Sequence, residues 1–390
     1  MKKIVIATDS FKGSLSGEEA ANAVANGVRS VFDKAEIICL SVSDGGEGLT
    51  KSLIAAVGGK TVAVKTSDPL GRKITAEYGV IKGAGGGETA VIEVAAASGL
   101  TLLAENERNP EKASSRGTGE LICAAIKAGY RDFLIGLGGS ATNDCGTGML
   151  SALGFGFFDG NNNEVSGGAE GLDKIERISG DNVLKELAFC SFTIACDVKN
   201  PLCGKNGCSY VFSGQKGGTA QTMQKEDEAM ARFARLVKTV YPSANENAEG
   251  AGAAGGLGFA FSAFLNANMA PGSQTFLNYC GFGEKLKNAD LAITGEGRLD
   301  GQSAMGKIPV GVAAEAVKAG VPTIALVGSI GEGAEKCNEC GIIGYFPIID
   351  KPCSIETALD HKTAEKNLER TAAQLMRVIK TFGLKTKKNQ

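Results

Sequence analysis

Residues 3–16 read KIVIATDSFKGSLS. A β-branched apolar run ends at Thr8 and passes straight into Asp9, Ser10, Lys12 and Gly13, the pattern of a fully buried strand that empties into a polar turn. Alanine-rich residues 17–32 then carry a helical pattern, EIICLSV (36–42) reads as a second strand and 47–57 as a second helix. The far end of the chain resumes the alternation with DLAIT (290–294), a helix over 309–319 with Pro309 in its first turn, VPTIALVG (321–328), GYFPII (344–349) and a last helix over 355–381. Apolar strands separated by helices predict a parallel sheet covered on both faces, of Rossmann or flavodoxin-like type.

Between these ends the texture changes. TVAVKT and ITAEYGVI flank SDPLGRK, a Pro/Gly turn that predicts an antiparallel hairpin, and AVIEVAAASGL adds a strand. A helix over 118–128 and strands at 133–137, 155–158 and 191–198 follow, then a helix over 221–241 whose Met223, Met230, Phe233, Val237 and Val240 fall at core spacing. Residues 250–283 carry no charge, but Asn266, Asn268 and Pro271 among many glycines argue for a buried glycine-rich helix instead of a membrane span. The predicted architecture is two α/β domains: a discontinuous parallel-sheet domain, 1–65 with 285–390, and an inserted mixed-sheet domain, 66–284.

Composition sets the class of function. The 390 residues are 43% hydrophobic and 22% charged, ordinary globular usage, and a length prior of roughly 150 residues per domain suits two cores. Lys+Arg number 41 against 43 Asp+Glu, which leaves no basic field for nucleic acid or anionic lipid and points to small-molecule chemistry. The N-terminal apolar run is too short for a signal peptide, so a cytoplasmic setting is expected. Glycine is the outlier, 55 residues or about twice the usual share of about 7%, bunched at the ends of apolar runs where backbone approaches a ligand. The single histidine, His361, lies in a charged stretch and reads as surface, and eleven scattered cysteines with one CxxC (Cys337, Cys340) make neither a disulfide framework nor a four-ligand zinc site.

Three outer strands each run into a polar glycine-bearing turn: DSFKGSLS (9–16), SDGGEGL (43–49) and GEGRLDGQSAMGK (295–307). Ligands of open parallel sheets bind beyond the carboxyl ends of the strands, so these turns share one crevice. They deliver Asp9, Lys12, Asp44, Glu47, Glu296, Arg298, Asp300 and Lys307, cations for phosphate beside carboxylates for Mg²⁺ or a proton, a mixture suited to phosphoryl transfer. A second set, GLGGSATNDCGTG (136–148), ACDVKNPLCG (195–204) and GAGAAGGLG (250–258), belongs to the inserted domain and offers backbone N–H groups to a nucleotide, with close helix packing the competing use of its glycines. GQSAMGK has P-loop spacing, but Ile308 stands in place of the Mg²⁺-binding Ser/Thr. GLGGSA fits a dinucleotide fingerprint with Asp159 downstream, which keeps a nicotinamide-dependent oxidoreductase as an alternative, beside a non-catalytic sensor of small acids.

In order along the chain, DSFKGSLS, DGGEG, GTGELI (117–122), GLGGSATND, ACDVKNPL, GAAGGLG and TGEGRLDGQSAMGKIPVGVA resemble the blocks of the type 1 glycerate kinase family of bacteria, from residue 4 to about 330. Leu49 and Cys145 depart from that pattern, Cys145 standing where glycine is expected. The resemblance implies ATP- and Mg²⁺-dependent phosphorylation of D-glycerate, to 2-phosphoglycerate in many members, and two α/β domains with an active-site cleft between them. On that reading Asp197 orients or deprotonates the hydroxyl, and Lys12 and Arg298 hold the glycerate carboxylate or the transferring phosphoryl group. Asp300 is a further catalytic candidate, and Asp44, Glu47 and Asp300 are metal candidates. Asp9, Ser10, Lys12, Asn200 and Arg298 are expected at the substrate. Gly138, Gly139, Ser140, Thr142, Asn143, Gly255 and Gly256 are expected at the nucleotide. Oligomeric state is left open, a homo-oligomer included.

Overall fold

The computed structural model describes residues 1–83, 86–165 and 167–386, the last four without their side chains. It contains a five-stranded sheet, a six-stranded sheet and a two-stranded ribbon. In chain order the strands are β1 (Lys3–Thr8), β2 (Glu36–Ser41), β3 (Lys60–Ser67), β4 (Lys73–Lys82), β5 (Glu88–Glu93), β6 (Asp132–Gly136), β7 (Gly156–Phe158), β8 (Arg177–Ser179), β9 (Ser191–Ala195), β10 (Asn268–Ala270), β11 (Leu291–Leu299), β12 (Thr323–Ile330) and β13 (Ile342–Pro347).

The chain divides into two compact units, Met1–Asp44 with Ser273–Gln390, and Gly45–Gly272. The expected limits at 65 and 285 therefore both shift toward the N-terminus, to 44 and 273. Pairing explains the first shift: β3 is antiparallel to β4, and Thr50 of the preceding helix packs on Gly79 so closely that a Cβ there would lie 2.5 Å from its methyl. Hydrogen bonds explain the second, since Ser273 Oγ donates to Gly306 O at 2.8 Å and Gln274 Nε2 to Glu315 Oε1 at 2.9 Å.

The first unit holds the sheet β13-β12-β11-β1-β2, parallel throughout. Read from the other edge this is a 2-1-3-4-5 order, the flavodoxin-like winding, with the second unit inserted between its second and third strands. Period-two alternation divides the strands between faces. Ile4, Ile6, Leu291, Ile293, Ile324 and Leu326 pack with Ala20, Val24, Val28 and Leu368, while Ala325 and Val327 on β12 pack with Val310 and Ala313. The helix Gly17–Arg29 starts on a capping box in which Ser16 Oγ accepts from Glu19 N and the Glu19 carboxylate accepts from Ser16 N. It crosses the C-terminal helix at Gly27, where a Cβ would lie 2.3 Å from Glu369 O. The expected single helix over 355–381 is two, Ile355–Leu359 and His361–Thr386, because Asp360 Oδ2 accepts from both Thr363 N and Thr363 Oγ1 and so starts a new helix.

The second unit holds β10-β9-β6-β5-β4-β3, in which β10, β9, β6 and β5 are mutually parallel and the β3–β4 and β4–β5 pairs are antiparallel. Phe133 and Phe192 face each other across β6 and β9 with ring centroids 4.8 Å apart. Met230, Phe233 and Val237 are buried as their spacing predicts, whereas Val240 is exposed. The uncharged segment 250–283 is not one helix. Ala254, Gly255 and Gly256 adopt left-handed φ values of 52°, 67° and 89°, so helix Ala253–Leu265 is regular only beyond them, and β10 and helix Gly272–Tyr279 follow.

Candidate active site

At the carboxyl ends of the first unit's strands lies a cavity of about 400 Å³. It sits where the winding reverses between β1 and β11, the position at which open parallel sheets take their ligands. Asp9, Ser10 and Lys12 reach it from the turn after β1, Asp44 from the turn after β2, Arg298 and Asp300 from the end of β11, and Glu296 and Lys307 join them. Eight of the residues expected at the site from the sequence are thus brought together: Asp9, Ser10, Lys12, Asp44, Glu296, Arg298, Asp300 and Lys307.

Local geometry fixes these groups. Asp9 N donates to Gly295 O at 2.9 Å, extending the β1–β11 ladder by one bond, while the Asp9 carboxylate accepts from Ser10 N at 2.6 Å. The turn then closes on itself, Phe11 N donating to Leu15 O at 2.8 Å. Arg298 Nε lies 3.4 Å from Asp300 Oδ2, and Asp300 Oδ1 accepts from Gln302 N at 2.9 Å. Ser303 Oγ donates to Glu296 Oε1. Lys307 is the N-cap of helix Ile308–Lys318.

Four carboxylates in this space stand against three cations. Burial, reinforced by the charge of Asp44, raises the Asp9 carboxyl from 3.8 to about 6. Burial also raises Glu296 from 4.5 to about 7, against the opposing effects of Ser303 and Lys307. Carboxyls held near neutrality in a cavity are suited to proton transfer. Their mutual repulsion also favours an added cation. Among the described residues no three His, Cys, Asp or Glu side chains converge to hold a metal by themselves. A Mg²⁺ ion here fits the mode in which substrate phosphates and water supply most ligands and one or two carboxylates the rest.

Glu47 does not line the cavity and belongs to the second unit, where its Oε1 lies 3.2 Å from a Cβ built on Gly139. The following turn is tied down by Glu93, which accepts from Gly48 N and Thr50 N at 2.8 Å each. Asp197 and Asn200 follow β9 in the same unit. Asp197 Oδ1 accepts from Gly272 N at 2.8 Å, and Asn200 Nδ2 donates to Asn206 O at 2.8 Å.

The glycine loops of the second unit are packing devices first. A Cβ on Gly255 would lie 1.9 Å from Thr142 O, one on Gly256 2.8 Å from Cys145 Sγ, and one on Gly138 2.6 Å from Gly46 Cα. Ser140, Thr142 and Asn143 are buried. Asn143 Nδ2 donates to Glu226 Oε2 at 2.7 Å, and Lys216 Nζ donates to Ser140 Oγ at 3.1 Å and Thr142 O at 2.7 Å. Lys216 and Glu226 had no signal in the sequence, where each sits among polar residues that read as surface. Burial lowers the Lys216 ammonium to about 8. The dinucleotide reading of GLGGSA meets a direct obstacle, because the buried Asp144 carboxylate accepts from Ser115 N, Gly146 N and Gly148 N and so occupies donors a pyrophosphate would need. Cys145 stands at φ 49°, a left-handed value that favours the glycine expected there. Leu49 is fully buried, a core residue.

The remaining expectations concern the surface and the thiols. His361 is half exposed and shares a 3.0 Å contact with Glu19 Oε1. All eleven cysteines are free thiols, and burial raises Cys337 to about 11. No described helix is long and apolar enough to cross a membrane.

The Glycerate kinase family model matches residues 4–380. A glycerate kinase of Bacillus subtilis is 42% identical over 378 residues, covering 97% of this chain and 98% of the relative. The glycerate 2-kinase of Escherichia coli is 40% identical over 356 residues, covering 91% and 93%. A crystal structure from Salmonella typhimurium LT2, described as a glycerate kinase 2, superposes with a TM-score of 0.85 at 39% identity over 98% of this chain and 99% of the other. With a family match across nearly its whole length and relatives of this identity, the chain belongs to the glycerate kinase family and is an enzyme that phosphorylates glycerate.

Proposed function

We propose that the chain transfers the γ-phosphoryl group of ATP, with Mg²⁺, to the 2-hydroxyl of D-glycerate, giving 2-phosphoglycerate and ADP. The observation that carries this reading is the cavity at the crossover of β1 and β11, where Lys12, Arg298 and Lys307 face Asp9, Asp44, Glu296 and Asp300. The 2-position follows the name of the Escherichia coli relative. A cytoplasmic setting fits an ATP-dependent reaction and the free thiols.

In this mechanism Lys12 and Arg298 hold the glycerate carboxylate or the transferring phosphoryl group, and Lys307 adds positive charge where phosphate oxygens gather. Asp9 receives the hydroxyl proton as the new O–P bond forms and the bond to the ADP oxygen breaks. Its position near pH 6 leaves it ionised, and so able to accept, at neutral pH. Asp44 and Asp300 would hold Mg²⁺, which when bound would neutralise charge on the phosphoryl oxygens. Positioning and charge stabilisation do most of the work in such transfers.

The test is phosphorus NMR of a reaction containing the purified protein, ATP, Mg²⁺ and D-glycerate. The expected product is 2-phosphoglycerate, formed only when all three are present. A 3-phospho product would correct the position of attack, and no glycerate-dependent turnover would falsify the proposal.

A further inference from the structure

The cavity is larger than a three-carbon acid needs, and only part of it is charged. Part of its lining is apolar, formed by Ile348 and Ile349 just beyond β13 and by Ile355 and Leu359 of the short helix that follows. Ile348 belongs to the core, but Ile355 is 74% exposed, Leu359 41% and Ile349 39%, so these three face water. Glycerate bears an oxygen on every carbon and gains nothing from such a surface. A space of about 400 Å³ instead falls in the range of roughly 300–1,000 Å³ that encloses ligands of several rings and chains.

A ligand that uses both kinds of lining carries an anionic group and a flat apolar one, which describes a nucleotide. Two polar side chains agree. Asn367 is a buried residue of the same lining, and its Oδ1 accepts from Arg370 Nη2 at 2.9 Å, which leaves its amide N–H groups to donate to a ring nitrogen. Ser14 is a lining residue, and its buried Oγ makes no hydrogen bond among the described residues.

We propose that the base of the phosphoryl donor lies against Ile349, Ile355 and Leu359, with its phosphates directed toward Lys12, Arg298 and Lys307. The first unit is then the nucleotide-holding unit, and the loops 138–143 and 255–256 are structural. This inference rests on the reading of the chain as an ATP-dependent glycerate kinase and adds where the nucleotide lies.

The experiment titrates the full-length protein with the fluorescent nucleotide mant-ADP and measures steady-state kinetics, for the wild type, Ile355→Asp and Leu359→Asp. Both side chains are solvent-facing, so folding should survive, which thermal unfolding checks. The expected result is a tenfold or greater rise in the Kd for mant-ADP and in the KM for ATP, with the KM for D-glycerate within twofold of wild type. Unchanged nucleotide affinity in folded variants overturns the inference, as does a rise confined to the glycerate KM. A change in sedimentation mass without a change in mant-ADP affinity also overturns it, since a second copy of the chain would then cover these side chains. If mant-ADP binds and the substitutions weaken it but no glycerate-dependent turnover is seen, the nucleotide site stands and the kinase reading falls.

Discussion

Asp9 shows how one residue serves fold and chemistry with opposite consequences. Its carboxyl stands at about 6 in the folded protein against 3.8 for an unperturbed group, so between these values the folded chain binds more protons than the unfolded chain. Stability from this group is therefore full below pH 3.8, declines as pH rises through that window and is lost above about 6. The same sign holds for Glu296, between 4.5 and about 7. Asp9→Asn removes the buried charge while keeping an oxygen for Ser10 N, so the variant should be more stable than wild type at pH 7.5. The gap sets an upper limit of about 3 kcal/mol, shrinking toward pH 4. Denaturant unfolding across pH checks this, and a variant less stable than wild type at pH 7.5 contradicts it. The gathering of these charged residues was legible in the sequence because each lies in a turn beyond the carboxyl end of an apolar strand, and in a parallel sheet those ends meet. The apolar lining was not: Ile349, Ile355 and Leu359 look like any core residues until exposure is known.

At the scale of elements, the strands and helices of the first unit follow from hydrophobic period and turn chemistry, and the SDPLGRK hairpin from its Pro and Gly. The errors have one cause: side-chain pattern does not report backbone sign. Nothing in GAGAAGGLG distinguishes a helix from the left-handed run at 254–256, because glycine permits both. The break at Asp360 was legible in principle, an Asp three residues before a Thr whose hydroxyl it also accepts. Close crossings carry a stability consequence. Gly27→Val drives a side chain into Glu369 O at the crossing of two helices and should destabilise the protein by about 1–3 kcal/mol. Gly255→Ala should cost more, since φ is 67° and a Cβ would lie 1.9 Å from Thr142 O. Thermal unfolding ranks the two, and a Gly255→Ala protein as stable as wild type would contradict the geometry.

For the whole molecule, the sequence showed a discontinuous parallel domain around an insertion but misplaced its borders, because the helix Leu49–Val57 and strand β3 continue the βα rhythm of the first unit while packing in the second. The ordered motif blocks carried the family, and the structure adds that the first unit gathers cations, near-neutral carboxylates and apolar side chains around one cavity. The central claim is that glycerate is phosphorylated there, with Asp9 taking the proton. Its most direct test is the rate of D-glycerate-dependent phosphoryl transfer by folded Asp9→Asn, measured beside Asp197→Asn at saturating substrates. A positioned base contributes about 10²- to 10⁴-fold, so Asp9→Asn should lose that much kcat while remaining folded. A folded Asp9→Asn enzyme with near wild-type kcat, alongside a crippled Asp197→Asn, would contradict the claim and move the base to the inserted unit.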